Sequence, residues 1–202
     1  MTAADTTPQI GRPREFDHDA VLDAVVELFW EKGFGATSVG DIVARTGLSK
    51  SSLYGAFGSK DALFETALDR YVDDHQQMVA ERLLNGNRGL DDIEAFFAQV
   101  VEEASREHSQ GCFAVNTATE LRNAEPIVVQ LGVRHRDILR GGFTGALNRA
   151  VELDEVDADR VPDLANMLVT TALGLAVMVG GGATADEVNT HVAATRNSLR
   201  RP

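Results

Sequence analysis

The stretch TGLSKSSLYGAF, residues 46–57, decides the fold, and its charge differs from that of the acidic chain around it. The chain has 202 residues and a formal net charge of −12, yet between residues 36 and 60 three side chains are basic and only Asp41 is acidic. Gly47 allows the left-handed backbone that a sharp turn can need, and Ser49 can cap a following helix. The stretch therefore predicts a tight turn before a short helix with a small, polar surface.

A second short helix is predicted just before this turn, because Ser38 can cap it and Asp41 stands three residues later as a capping-box partner. Five apolar side chains are expected to pack the two helices together: Ile42, Val43, Leu48, Leu53 and Phe57. Two short helices joined by a glycine turn form a helix-turn-helix. Small polar groups on the second helix favour close contact with the major groove of DNA, whose phosphates would exclude acidic side chains from that surface.

The rest of the chain is predicted to be helical, since apolar residues recur at helical spacing and no segment alternates like a strand. The expected fold class is all-α, with an N-terminal three-helix helix-turn-helix unit joined to a larger helical body. The predicted boundaries are a flexible basic arm over 1–15, a DNA-binding domain over 16–60, and an effector-binding and dimerisation domain over 61–202.

Composition predicts a folded, water-soluble protein, because 44% of residues are hydrophobic and 25% are charged. A single cysteine excludes an intramolecular disulfide and fits a reducing cytosol, and the N-terminus lacks the apolar core of a signal peptide. The uncharged segment 164–185 is predicted to be a buried helix, because its strongly apolar part, Ala172 to Val179, is too short to span a membrane.

Residues 16–68 resemble the N-terminal domain of the TetR family of transcriptional regulators. The positions that carry the family pattern are Thr37, Ile42, Gly47, Ser49, Leu53, Tyr54, Phe57, Lys60 and Leu63. Two departures are Val43, where the family usually has alanine, and Gly55 with Ala56, where larger groove-facing side chains are common. The resemblance implies a cytoplasmic, non-enzymatic repressor without a cofactor. It also implies that a homodimer, formed through the last two helices, binds a roughly palindromic double-stranded operator.

The predicted DNA contacts combine the reading helix with its flanks. Arg12 and Arg14 lie on an extended arm suited to the backbone or minor groove, and Lys60 lies in the first turn of a helix, where a phosphate is favoured. The full predicted set is Arg12, Arg14, Thr37, Ser38, Arg45, Ser49, Lys50, Ser51, Ser52, Tyr54, Gly55 and Lys60.

The resemblance also implies a pocket for a small-molecule effector among the central helices. The predicted apolar lining is Phe96, Phe97, Phe113 and Phe143, and the predicted polar anchors are Asn116, Glu120, Arg122 and His135. The alternative is that the phenylalanines only pack in the core and the polar side chains are only solvated.

The segment GCFAVNTATEL, residues 111–121, resembles a box found in one TetR subgroup, some of whose members sense electrophiles through its cysteine. Cys112 stands at a predicted helix start, where a thiolate is favoured, so it is a candidate sensing thiol. The alternatives are an inert buried cysteine, a cysteine-dependent enzyme, and a helical interaction module that does not bind DNA. No further ligands accompany Cys112 and His108, so no metal site is predicted.

Overall fold

The computed structural model describes residues 16–107, 109–121 and 126–200, and these residues form nine α-helices and no strand. The all-α prediction is confirmed. The helices are α1 His18–Lys32, α2 Val39–Thr46, α3 Lys50–Phe57, α4 Lys60–Val79, α5 Leu90–Ala104, α6 Phe113–Leu121, α7 Pro126–Glu152, α8 Val161–Gly180 and α9 Ala185–Leu199. A π-helical turn, Ala80–Leu84, continues α4, and a short 3-10 turn, Ala158–Arg160, precedes α8.

Side-chain caps fix the boundaries of the first helices at the residues that the sequence indicates. Asp17 accepts from the N–H groups of Asp19 and Ala20 at the start of α1. Ser38 and Asp41 form a reciprocal capping box at the start of α2. Gly47 closes α2 with φ of 69°, a left-handed conformation that favours glycine, and the chain then turns directly into α3.

Two apolar clusters hold the molecule together. One contains the buried residues of α1 to α4, including Phe29, Leu53 and Leu63, but it also takes in Phe113 from α6 and Leu131 from α7. The other joins α5, α7, α8 and α9. The predicted division at residues 60 and 61 is therefore not a division of the core, because helices from the second unit complete the first cluster.

Helix α8 carries the uncharged segment. The stretch Ala158–Gly180 is long and apolar enough, by length and composition alone, to cross a membrane. One face of the helix packs in the core of the protein, where Leu168 and Leu175 are buried. The opposite face is open, and the side chain of Val177 is 53% exposed. The helix ends at Gly180, at the start of the predicted glycine stop.

Candidate nucleic-acid interface and ligand cavity

Helix α3 presents an open face of small polar groups. Ser49, Lys50, Ser51, Ser52, Tyr54 and Gly55 are all exposed, whereas Leu53 faces inward and is buried. Ser49 Oγ accepts from the N–H of Ser52 at 3.1 Å and also lies 2.9 Å from the hydroxyls of Ser51 and Ser52. A Cβ added at Gly55 would contact nothing within 4 Å. The helix surface is thus accessible along the face that the sequence predicts for DNA.

Two predicted contact residues, Thr37 and Arg45, are held by the protein itself. The Thr37 side chain is buried, and its hydroxyl donates to the carbonyl of Gly33 at 2.6 Å, so it stabilises the turn between α1 and α2 and is not available to a base. Arg45 forms ion pairs with Glu31 and Glu27 of α1, and the Glu31 hydrogen bond raises the pKa of the guanidinium. Both interactions fix the orientation of α2 against α1.

Lys60 and Ser38 also have partners in this structure. Lys60 Nζ donates to the carbonyl of Phe34 at 2.6 Å and lies 4.2 Å from the centroid of the Phe34 ring. Ser38 remains exposed while it caps α2. The carboxylate of its capping partner Asp41 also pairs with Lys32 at 2.7 Å, and these bonds, with the Lys32 bond largest, hold the pKa of that carboxyl well below its usual range. Arg12 and Arg14 lie outside the described residues.

A cavity of about 240 Å³ lies between the helix-turn-helix unit and the helical body. Its lining includes Trp30 from α1, Tyr71 and His75 from α4, Phe96 from α5, Cys112 before α6, and His135 from α7. Two of the predicted effector residues, Phe96 and His135, and the candidate thiol Cys112 therefore meet there. Sequence analysis missed Trp30, Tyr71 and His75, although the spacing of four between Tyr71 and His75 places them on one face of a helix.

The other predicted effector residues among those described do not line this cavity. Phe97 and Phe143 stack in the core with ring centroids 5.8 Å apart, and Phe113 is buried in the cluster around α1 and α4. Asn116 Nδ2 donates to the carbonyl of Gln110 at 2.7 Å. These side chains complete the packing around the cavity without lining it, and Arg122 lies outside the described residues.

Glu120, expected as an effector anchor, binds the helix-turn-helix unit. Its two carboxylate oxygens accept from the backbone N–H groups of Phe34 at 3.0 Å and Gly35 at 2.8 Å, in the turn between α1 and α2. Helix α6 therefore begins beside the cavity, where Cys112 and Val115 line the wall, and ends on the turn that positions α2.

Cys112 lies in a chain of partly buried polar groups. The hydroxyl of Tyr71 donates to Cys112 Sγ at 3.4 Å, and Sγ lies 3.6 Å from His135 Nε2. Burial raises the pKa of the Cys112 thiol, against hydrogen bonds that lower it. The backbone N–H groups of Ala114 and Val115 at the helix start lower this pKa as expected, but loss of solvent around the sulfur outweighs them.

The two cavity histidines are uncharged at neutral pH. Their rings lie 4.5 Å apart. Burial, with the neighbouring His135 adding to it, lowers the pKa of His75 to about 3, and burial together with the charge of Arg136 lowers the pKa of His135 to about 4. The described residues contain no group of three or more histidine, cysteine or acidic side chains arranged to hold a metal ion.

Comparison with known proteins identifies relatives of the first unit and of the whole fold. The family model described as "Bacterial regulatory proteins, tetR family" matches residues 21–67. The HTH-type transcriptional repressor ComR of Escherichia coli (strain K12) is 37% identical over 113 residues, which cover 55% of this chain and 54% of ComR. The uncharacterized HTH-type transcriptional regulator YezE of Bacillus subtilis (strain 168) is 28% identical over 186 residues, covering 91% of this chain and 96% of YezE.

Among solved structures, a cysteine mutant of the TetR family transcriptional regulator CifR, complexed with 26-base-pair double-strand operator DNA, has the same fold. Its TM-score is 0.75 at 22% sequence identity, and the superposition covers 93% of this chain and 99% of that chain. The similarity therefore extends through the helical body as well as the helix-turn-helix unit.

Proposed function

Because the chain belongs to the TetR family of bacterial regulatory proteins, we propose that it is a sequence-specific transcriptional repressor of the cytoplasm, released from its operator by a small molecule. The observation that carries the proposal is the exposed face of α3, where small polar side chains and Lys50 stand together without an acidic residue. Such a face approaches the major groove closely and pairs with phosphates and base edges.

The α3 face supplies the base contacts in this proposal. Ser49, Ser51, Ser52 and Gly55 approach the base edges, while Lys50 and Tyr54 contact phosphates. Lys60 gives up the Phe34 carbonyl for a phosphate at the start of α4, where the helix dipole favours an anion. Arg12 and Arg14 keep their predicted contact with the backbone or minor groove, and Ser38, Thr37 and Arg45 fix the position of α2.

We infer a homodimer that uses the open face of α8 together with α9. Thr170, Gly174 and Val177 are exposed at spacings of four and three, so they form one stripe of small and apolar side chains. A symmetric dimer would place two copies of α3 on the half-sites of a palindromic operator. Val177→Arg is expected to yield monomers in sedimentation, whereas Leu153→Arg, at another exposed apolar site, is expected to leave the dimer intact.

Helix α6 supplies the proposed connection between ligand and DNA. It contacts the cavity at one end and holds the α1–α2 turn through Glu120 at the other. A ligand that displaces the first turn of α6 changes the position of the Glu120 carboxylate, and with it the orientation of the helix-turn-helix. The ligand would then favour one arrangement of α6 and the operator the other, so that each weakens the binding of the other.

Fluorescence anisotropy with labelled duplex DNA from upstream of the gene tests the proposal. A scrambled duplex and a salt series separate sequence-specific from purely electrostatic binding. We expect selective binding that weakens steeply with salt, and Lys50→Ala should lower the salt slope by about one. Tyr54→Ala should weaken binding by about tenfold, the effect of one hydrogen bond to a charged group.

The matched control for Lys50→Ala is Arg82→Ala, which removes an exposed cation from the π-helical turn after α4. This variant should bind like the parent protein. Selection from a random-sequence DNA library covers the case in which the operator lies outside the upstream region. Failure of that selection to enrich any sequence would contradict the proposal.

Modification of Cys112 is the alternative route of release. Cys112→Ser keeps a small polar side chain at the position, so it should abolish release by an alkylating agent and preserve release by a non-covalent ligand. Hydrolysis of an activated ester, lost in the same variant, would instead indicate a cysteine-dependent enzyme.

A further inference from the structure

The cavity contains three buried nitrogen atoms that have no hydrogen-bond partner among the described residues. They are Trp30 Nε1, His75 Nδ1 and His135 Nδ1, and all three residues line the cavity. His135 is only 3% exposed. Buried polar groups in proteins are nearly always paired, and an unpaired one is costly. The nitrogens therefore indicate a ligand or water that completes their hydrogen bonds.

The contacts around Cys112 bear on which of these nitrogens donate. Tyr71 donates its hydroxyl proton to Cys112 Sγ, and the buried, protonated thiol then has His135 Nε2 as its neighbouring acceptor at 3.6 Å. In the tautomer in which Nε2 accepts from the thiol, the proton of His135 is on Nδ1, and Nδ1 is then a donor. The indole nitrogen of Trp30 is always a donor. With this tautomer, two unpaired donors belong to the cavity wall.

The cavity offers no unpaired charge to a ligand. Its histidines are neutral near pH 7, and among its lining residues only Glu103 carries a formal charge. The Glu103 carboxylate is paired with Arg106 at 2.7 Å and accepts from the hydroxyl of Ser109 at 3.0 Å. The remaining wall is mostly aliphatic and aromatic. A charged ligand would lose its hydration there without gaining a counter-ion.

We propose that this cavity binds a neutral, mainly apolar molecule that bears a hydrogen-bond acceptor, such as a ketone or an ether, with the acceptor paired to His135 Nδ1 or Trp30 Nε1. The cavity has room for a ligand larger than benzene, because a dry cavity of about 150 Å³ already holds benzene, and this one measures about 240 Å³. The inference deepens the proposed function, since it names the chemical class of the effector.

Four compounds of nearly equal shape test the charge and the acceptor separately. They are cyclohexyl methyl ketone, isopropylcyclohexane, cyclohexanecarboxylate and 1-cyclohexylethylammonium. Binding is followed by calorimetry and by the emission of Trp30, the single tryptophan of the chain, which lies in the cavity wall. We expect the ketone to bind about tenfold more tightly than the hydrocarbon and than either ion.

Two variants locate the acceptor site. His135→Phe and Trp30→Phe each remove one of the two donors, and at least one of them should reduce the ketone to the affinity of the hydrocarbon while it leaves hydrocarbon binding nearly unchanged. His191→Phe, at an exposed position on α9, is the matched control and should preserve the preference. If His135→Phe fails to fold, Trp30→Phe with calorimetric detection removes the other donor and should weaken the same preference.

The outcomes separate this inference from the proposed function. Equal or tighter binding of either ion, no preference for the ketone, or no binding by any of the four compounds would overturn the inference. Operator binding is measured independently by anisotropy, so a protein that binds DNA but none of the compounds keeps the proposed function and loses the inference. A protein that binds the ketone but no DNA keeps the inference about the cavity and loses the proposed function.

Discussion

The helix-turn-helix unit and the cavity differ in whether their polar groups have hydrogen-bond partners within the protein. In the first, each cap hydroxyl finds a partner within three residues: Ser38 with Asp41, and Ser49 with Ser52. In the cavity, Trp30 Nε1, His75 Nδ1 and His135 Nδ1 have no partner among the described residues. A surface for DNA benefits from a rigid shape set before binding, whereas a ligand site benefits from donors that only the ligand satisfies.

An acidic side chain on α3 tests whether the open face of this helix binds DNA. Gly55→Glu adds a carboxylate to the open face, and a Cβ at this position meets no atom within 4 Å. We expect operator affinity to fall by about a hundredfold or more, because the new charge faces the phosphates. Thermal unfolding should be unchanged or higher, since glycine inside a helix costs about 0.5–1 kcal/mol relative to alanine.

Gly55→Ala is the control for this effect, because it stabilises α3 without adding charge. It should gain stability while it retains most of the operator affinity. Strong operator binding by Gly55→Glu would contradict the assignment of α3 as the DNA-reading helix.

Acidification tests the cavity half of the comparison. Both histidines have lower pKa values in the folded protein than the ordinary 6.5, so below pH 6.5 the unfolded chain binds protons that the folded protein does not. The free energy of unfolding should fall by about 1 kcal/mol for each histidine between pH 7 and pH 5.5. Urea unfolding at the two pH values measures this loss.

Variants assign the acid sensitivity to the cavity. His75→Phe and His135→Phe should each remove about half of the pH dependence. An unchanged slope in both cavity variants would contradict the buried, neutral state of these side chains.

Removal of a cap measures how much the local hydrogen bonds contribute. Ser38→Ala and Ser49→Ala should each lower the free energy of unfolding by about 1 kcal/mol, because each leaves backbone N–H groups without a side-chain acceptor. Ser105→Ala, at the exposed C-terminal end of α5, should cost less than about 0.5 kcal/mol. Equal costs at all three positions would show that capping is not the cause.

The smallest expected effect concerns the link between the two regions. Glu120→Gln replaces one acceptor oxygen with an amide that cannot accept, so one backbone N–H of the α1–α2 turn loses its bond. We expect the ketone to keep its affinity for the free protein. The ratio between its affinities for the free and for the operator-bound protein should shrink by a few fold. Glu81→Gln, at an exposed position, is the control and should leave that ratio of affinities unchanged. An unchanged ratio in Glu120→Gln would show that α6 does not connect the cavity to the operator-binding unit.

The sequence predicted the helix-turn-helix unit in detail because its determinants are local. Gly47, Ser38 and Ser49 act on residues at most three or four positions away, and such spacing is visible in one dimension. The open face of α3 followed directly from these helix boundaries.

The cavity could not be predicted in the same way, because its wall comes from six parts of the chain. Phe96 and Phe97 are adjacent and chemically identical, yet only Phe96 lines the cavity. Which of the two does so depends on the rotation of α5 against α7 and α8. Glu120 was misplaced for a related reason, since its partners lie 85 and 86 residues earlier in the chain.

The position of Trp30 has a consequence for how such repressors diversify. This side chain belongs to α1, inside the segment that matches the family's regulatory model, yet it forms part of the wall of the cavity. A chimera that imports residues 16–60 from a relative to change the target promoter also imports a new piece of the ligand site. Promoter choice and inducer choice are therefore inherited together, and an engineer who wants to exchange one alone has to graft the α3 surface and leave the inward face of α1 in place.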